Sequence, residues 1–199
     1  MSEFTIPIIG NLLQSIAAEF KDRIKPVPGS VLRVDLALGA NFLGGRLCHT
    51  GIYLGDDKIA EIANIHGKAR VQVVDPYDFL HGKGTNFART GINVYVATDG
   101  CGNAVGSPEI AERARAGCGA AGVRALTGRA FTKCSNHGEY DLVDNNCHRF
   151  TVRCVTGEEP TDAKLTDRDV ADALKRVFGC ERVTWEPTPA STVNFSFDD

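Results

Sequence analysis

The spacing of apolar residues begins at a helical period, shortens to that of strands, and becomes helical again. In residues 6–24, IPIIGNLLQSIAAEFKDRI, the positions Ile9, Leu12, Leu13, Ile16, Phe20 and Ile24 share one side of a helix, while Gln14, Glu19, Lys21, Asp22 and Arg23 fall mostly elsewhere. This predicts an N-terminal amphipathic helix, and its mixed polar face favours docking on the domain over the alternative, a peripheral contact with a membrane or partner. KPVPG at 25–29 signals a turn, and SVLRVDLAL after it alternates as a strand does. GANFLGGR reads as a loop. CHTGIYLGDDKIAEIAN predicts a hairpin: a half-buried strand through Ile52 and Leu54, a turn at Gly55, Asp56 and Asp57, and a return strand from Lys58 to Ile62. RVQVVD and INVYVAT predict two more strands. Helical spacing resumes in SPEIAERARAGCGAA, with Ser107 as cap and Pro108 in the first turn. Further helices are expected from Cys147 and over TDRDVADALKRVFG, the latter capped by Thr166 and stopped by Gly179. The tail VTWEPTPASTVNFSFDD reads as irregular or partly disordered. These elements make an α+β domain, an antiparallel sheet packed against helices, over residues 26–180, with the helix of 1–25 before it and the tail of 181–199 after it.

Composition narrows the function. A chain of 199 residues suits one domain with a sizeable core. Its 22 Lys and Arg against 25 Asp and Glu, a net charge of −3, offer no electrostatic grip on nucleic acid. Cysteines at 48, 101, 118, 134, 147, 154 and 180 lack paired spacing, and no secretory signal opens the chain, so free thiols in a reducing, cytoplasmic setting are expected. No apolar run approaches the roughly 20 residues that cross a bilayer. Cys134, His137, Cys147, His148 and Cys154 do not follow the spacings of structural zinc sites, so no metal and no cofactor is expected.

One short stretch carries the chemistry. In YDLVDNNCHRF, residues 140–150, the run Asp144, Asn145, Asn146 is of the kind that caps a helix, so Cys147 opens one. There the free N–H groups and the positive end of the helix dipole favour thiolate over thiol. A nucleophilic sulfur needs an imidazole to take its proton and a third group to orient the imidazole. His66 and His81 fall in predicted loops, and His137 falls in the loop before the Cys147 helix. His49 instead begins a strand, and the partner strand carries Glu61. Pairing residues whose numbers sum to about 113 puts His49 near Asn64, Tyr53 near Ala60 and Gly51 near Ile62, which makes Glu61 a diagonal neighbour whose face depends on the register. Tyr140 and Asn146 are the candidate substrate-binding residues. Tyr140 lines the pocket or packs; Asn146 caps the helix or, in the sharper reading, meets an oxyanion. His148 is expected to turn away from the site, since sequence neighbours on a helix do not share a face.

HTGIYLGDDKIAEI followed by YDLVDNNCHRF resembles the lecithin retinol acyltransferase family, a circularly permuted branch of the NlpC-type, papain-like cysteine enzymes. That family carries a histidine in an H-x-[AG]-I-Y-[VL]-G strand, a polar residue twelve positions later, and the nucleophile in an N-C-E-H-F box. His49, Glu61 and Cys147 fall on these positions, over a resemblance covering residues 26–157. Glu61 stands where the acyltransferases usually have histidine, and two departures stand out: NCHRF in place of N-C-E-H-F, and more chain between the helix after Ser107 and Tyr140 than a minimal member needs, including the glycine-rich AGCGAAGVRALTGRAF. The resemblance implies a permuted papain-like fold, a thioester on Cys147, and an acyl donor that is a small molecule or a phospholipid. YDLVDNNCHRF also resembles the Y-[DN]-L-x-x-x-N-C-N-x-F box of permuted papain-like isopeptidases, so an isopeptidase, peptidase or cell-wall amidase is the alternative. A binding module that keeps only the fold is the third possibility.

Overall fold

The computed structural model describes residues 23–36, 48–82, 89, 93–118, 133–139, 146–161 and 166–189, with the backbone alone for 133–139. Among the described residues seven strands form one sheet: β1 (Val31–Asp35), β2 (Cys48–Gly55), β3 (Lys58–Ile65), β4 (Lys68–Val74), β5 (Tyr95–Thr98), β6 (Lys133–Glu139) and β7 (Thr184–Pro187). Their spatial order is β6-β4-β3-β2-β1-β5-β7, and every neighbouring pair is antiparallel. Among the described residues four helices accompany them: α1 (Pro76–His81), α2 (Pro108–Gly117), α3 (Cys147–Thr156) and α4 (Asp167–Phe178). Among the described residues no helix is long and apolar enough to cross a membrane.

Both faces of the sheet are covered. Val31, Ile52, Leu54, Ile62 and Val71 meet α2, α3 and α4 on one face; Leu32, Val34, Tyr53, Ile59 and Val96 meet Phe79 and Leu80 of α1 on the other. β2 is therefore buried along seven of its eight residues, and the strand expected to be half-buried has no solvated face.

Local chemistry sets the element ends as anticipated at several points. Asp56 and Asp57, both with positive φ, make the two-residue turn between β2 and β3. Ser107 accepts a hydrogen bond from the Ile110 N–H with Pro108 in the first turn of α2. Asp169 accepts from the Thr166 N–H and hydroxyl at the start of α4, and Gly179 ends that helix in the left-handed region. Gly29 sits so close to Ser107 that a β-carbon there would lie 2.0 Å from the Ser107 carbonyl oxygen, so the turn opening β1 can touch the start of α2 only as glycine.

Four expectations need correction. His81 ends a helix, not a loop: Asp75 caps it through the Asp78 N–H and Gly82 closes it. His137 lies in strand β6, not in a loop. The tail is ordered through β7, which pairs residue for residue with β5 from Tyr95–Pro187 to Thr98–Thr184. Arg23 and Ile24 are not helical, and the Ile24 N–H donates to the Pro187 carbonyl. The rest of the expected 6–24 helix and the GANFLGGR loop lie outside the described residues.

Candidate active site

α3 starts where it does because Asn146 Oδ1 accepts from the Arg149 N–H at 3.0 Å while the Asn146 carbonyl accepts from Phe150. Cys147 is thus the first helical residue. The helix is pinned to β2 by a hydrogen bond of 2.9 Å between the Thr50 and Thr151 hydroxyls. Its last carbonyls, those of Cys154 and Val155, accept from the Arg113 guanidinium of α2. Phe150, Val152 and Val155 fill the core beneath.

The sulfur enters a gap between strands. The β2–β3 ladder runs from Gly55–Lys58 through Tyr53–Ile59 to Ile52–Ala60, and residues 48–51 pair with β1 alone. Tyr53 exchanges its backbone bonds with Gly29 and Ser30, on the β1 side, so Cys48 and Thr50 turn their backbone groups toward β3, where among the described residues no strand pairs with them. Cys147 Sγ enters that space, 3.9 Å from the Cys48 carbonyl oxygen, and the Thr50 N–H lowers its thiol.

The same ladder decides the orienting carboxylate. A register shift between Tyr53 and Gly55 turns the expected sum of 113 into 112, so that Tyr53 faces Ile59 rather than Ala60. Continued along β3, this places Glu61 across from Gly51, on the face that His49 shares; the expected register would have turned it to the other face. His49 Nε2 meets Glu61 Oε2 at 2.7 Å. Nδ1 is the ring nitrogen that remains, and the His49 ring and the Cys147 sulfur act on each other electrostatically, the ring lowering the thiol and the sulfur raising the imidazole. His49 is 5% exposed, Cys147 4% and Glu61 0%, so these bonds act with little screening by water.

Two residues unseen in the sequence complete the arrangement. Gln72 of β4, directly across from Glu61, donates to its Oε1 at 2.7 Å. Arg89 donates to Glu61 Oε2 at 2.9 Å and to the Phe79 carbonyl. A lone glutamine in the apolar run RVQVVD was a signal that could have been read; Arg89 had none.

Electrostatics follow the geometry. Burial works to raise the Glu61 carboxyl, but Arg89, His49 and Gln72 outweigh it and hold it at about 2. Burial and Arg89 pull His49 down, while the sulfur and Glu61 prevail and raise it above the ordinary imidazole value. Burial disfavours the Cys147 thiolate, yet His148, His49 and the Thr50 N–H bring the thiol down to about 5. The contrast with other cysteines is instructive: burial pushes Cys154 up to about 12 and raises Cys48 further. Among the cysteines whose side chains are described, Cys48, Cys101, Cys118, Cys147, Cys154 and Cys180 are free thiols.

Of the expected site residues, Cys147, His49 and Glu61 come together and Asn146 caps the helix beneath them. Tyr140 lies outside the described residues. His148 does not turn away to the surface: half-buried, its Nε2 lies 3.5 Å from Cys48 Sγ. The result is a thiol shifted down to about 5, an imidazole that contributes to that shift, and a carboxylate bonded to the imidazole. No protein-family model, curated protein or solved structure matches the chain.

Proposed function

We propose that the protein is a cysteine-nucleophile acyltransferase or hydrolase of the permuted papain-like, lecithin retinol acyltransferase kind, forming a thioester on Cys147 with an acyl ester such as a phospholipid. The observation that carries this is the bonded pair His49–Glu61 with the Cys147 sulfur electrostatically coupled to the His49 ring, built from a helix start and a hairpin far apart in sequence. The order of parts, histidine strand first and cysteine helix last, also supports the permuted reading.

Cys147 Sγ attacks the acyl carbonyl as thiolate. The cap uses the Arg149 and Phe150 N–H groups, so the donors for the developing oxyanion are the Cys147 and His148 N–H groups at the helix start, a contribution of about a hundredfold or more. His49, holding the proton on Nδ1, passes it to the departing alcohol; such general acid help is worth roughly 10²- to 10⁴-fold. Glu61 keeps Nε2–H bound and the ring aimed. Water or an acceptor alcohol or amine then attacks the thioester, with His49 taking its proton, and the thiolate is restored.

Intact-mass measurement after incubation with phospholipid should show an acyl adduct that disappears in Cys147→Ser. The box at 140–150 favours a second reading, peptide, isopeptide or muropeptide cleavage at the same sulfur; turnover of those donors without a lipid adduct would select it. Lipid as donor would fit a cytoplasmic protein that touches membranes through residues 6–24, which co-sedimentation with vesicles tests. An unreactive Cys147 with an ordinary thiol profile would leave only a binding module.

A further inference from the structure

Arg89 has 2% of its side chain exposed and lies against the Glu61 carboxylate. Its bond to the Phe79 carbonyl and its position over the Phe79 ring, 5.3 Å from the centroid, hold the guanidinium from two sides. Phe79 in turn packs on the His49 ring, with centroids 5.6 Å apart. Arg89 and His49 share a single oxygen, Glu61 Oε2, while Gln72 occupies the other.

We propose that Arg89 is a positioning residue of the candidate site, supplying the positive charge that lets Glu61 stand ionised in a closed core and limiting how strongly that carboxylate acts on His49. The inference rests on the reading of Cys147, His49 and Glu61 given above and deepens it.

The argument is one of charge balance. A cysteine and a histidine sum to zero charge both as thiol with imidazole and as thiolate with imidazolium. Glu61 adds −1 in either state, and a buried charge without a partner is costly. Arg89 cancels it, so the four groups are neutral throughout the proton exchange. A neutral orienting residue at position 61 would require no arginine; the carboxylate and the guanidinium come as a pair. Sharing Oε2 also divides the carboxylate's pull. Among the described residues, the charged and titratable groups acting on His49 are Arg89, Cys147 from α3 and Glu61 from β3; His148 of α3 and Cys48 of β2 interact with Cys147, and α1 contributes the uncharged Phe79 ring. Of these, Arg89 is the cation that opposes the imidazolium, consistent with its downward effect on His49.

The test compares full-length wild type, Arg89→Lys, Arg89→Met, Glu61→Gln and the double variant Glu61→Gln/Arg89→Met. His49 titration is followed by the NMR resonances of its ring protons, Cys147 by iodoacetamide alkylation against pH, and folding by thermal melting. Arg89→Met should raise the His49 titration midpoint by about one pH unit or more, a tenfold change in proton affinity, and Arg89→Lys should keep it near wild type. The double variant should melt above Arg89→Met alone, because the charge each single change strands is gone. If Arg89→Met does not fold, a folded double variant supports the pairing. An unmoved His49 midpoint in folded Arg89→Met, or a double variant no more stable than the single ones, overturns it. A wild type whose Cys147 alkylates like an ordinary thiol defeats the reading of the site itself; a depressed Cys147 profile with an unmoved His49 defeats this inference alone.

Discussion

Cys147 is distinguished from the other buried cysteines by what stands beside it, since burial alone raises a thiol, as it does at Cys48 and Cys154. Rapid alkylation of Cys147 should therefore persist down to about pH 6 and disappear in Cys147→Ser, whereas Cys154 stays inert; peptide mapping of the modified thiols checks this. Glu61 gives a stability prediction. Its folded-state value lies below that of the unfolded chain, so its contribution is complete above the unfolded value near 4.5 and is lost as pH falls through that value toward about 2. The melting temperature should fall over this window in the wild type, and less steeply in Glu61→Gln. In the mechanism, Glu61→Gln keeps an acceptor for the ring but removes the charge that stabilises the imidazolium. The rate of acyl transfer should drop by about tenfold or more, with the donor's KM little changed.

At the scale of elements, the site depends on how α3 begins and on how β2 and β3 part. Asn146→Ala removes the side-chain acceptor of the Arg149 N–H and should cost about 0.5–2 kcal/mol in denaturant unfolding, while also loosening the helix start that holds the sulfur. Gly51 is the tighter constraint. A β-carbon there would lie 2.9 Å from the Ala60 carbonyl oxygen, the Ile59 side chain and the Phe79 ring at once. Gly51→Ala should therefore destabilise by about 1–3 kcal/mol and slow Cys147 alkylation by pushing apart the strands that carry His49 and Glu61. The glycine in HTGIYLG was legible as a letter of the resemblance; its reason, three atoms crowding one point, belongs to the packed structure.

For the whole molecule, β7 changes what the C-terminal region does. Trp185 packs against the core and under Arg33, whose guanidinium lies 5.4 Å from the ring, and Thr184 bonds to Thr98 at 2.7 Å. Ending the chain at residue 182 removes this strand and bares β5, so the truncated protein should melt lower and self-associate on size-exclusion chromatography. The domain consequently extends past residue 180, where the sequence pattern placed its end: the four-residue strand Thr-Trp-Glu-Pro is too short for its periodicity to announce it.

Strong local signals were sufficient for the start of α3, the caps of α2 and α4, the turn after β2, and the pairing of His49 with Glu61 as partners in chemistry, because caps and turns are decided by residues within a few positions of one another. Three features were settled elsewhere. The one-residue shift between Tyr53 and Gly55 turns Glu61 to the face of His49; the open side of β2 admits the sulfur; and Gln72 and Arg89 arrive from β4 and from beyond α1 to hold the carboxylate ionised. Each of these depends on which backbone groups and charges remain unpaired once distant strands have packed, a quantity that no local stretch of residues contains.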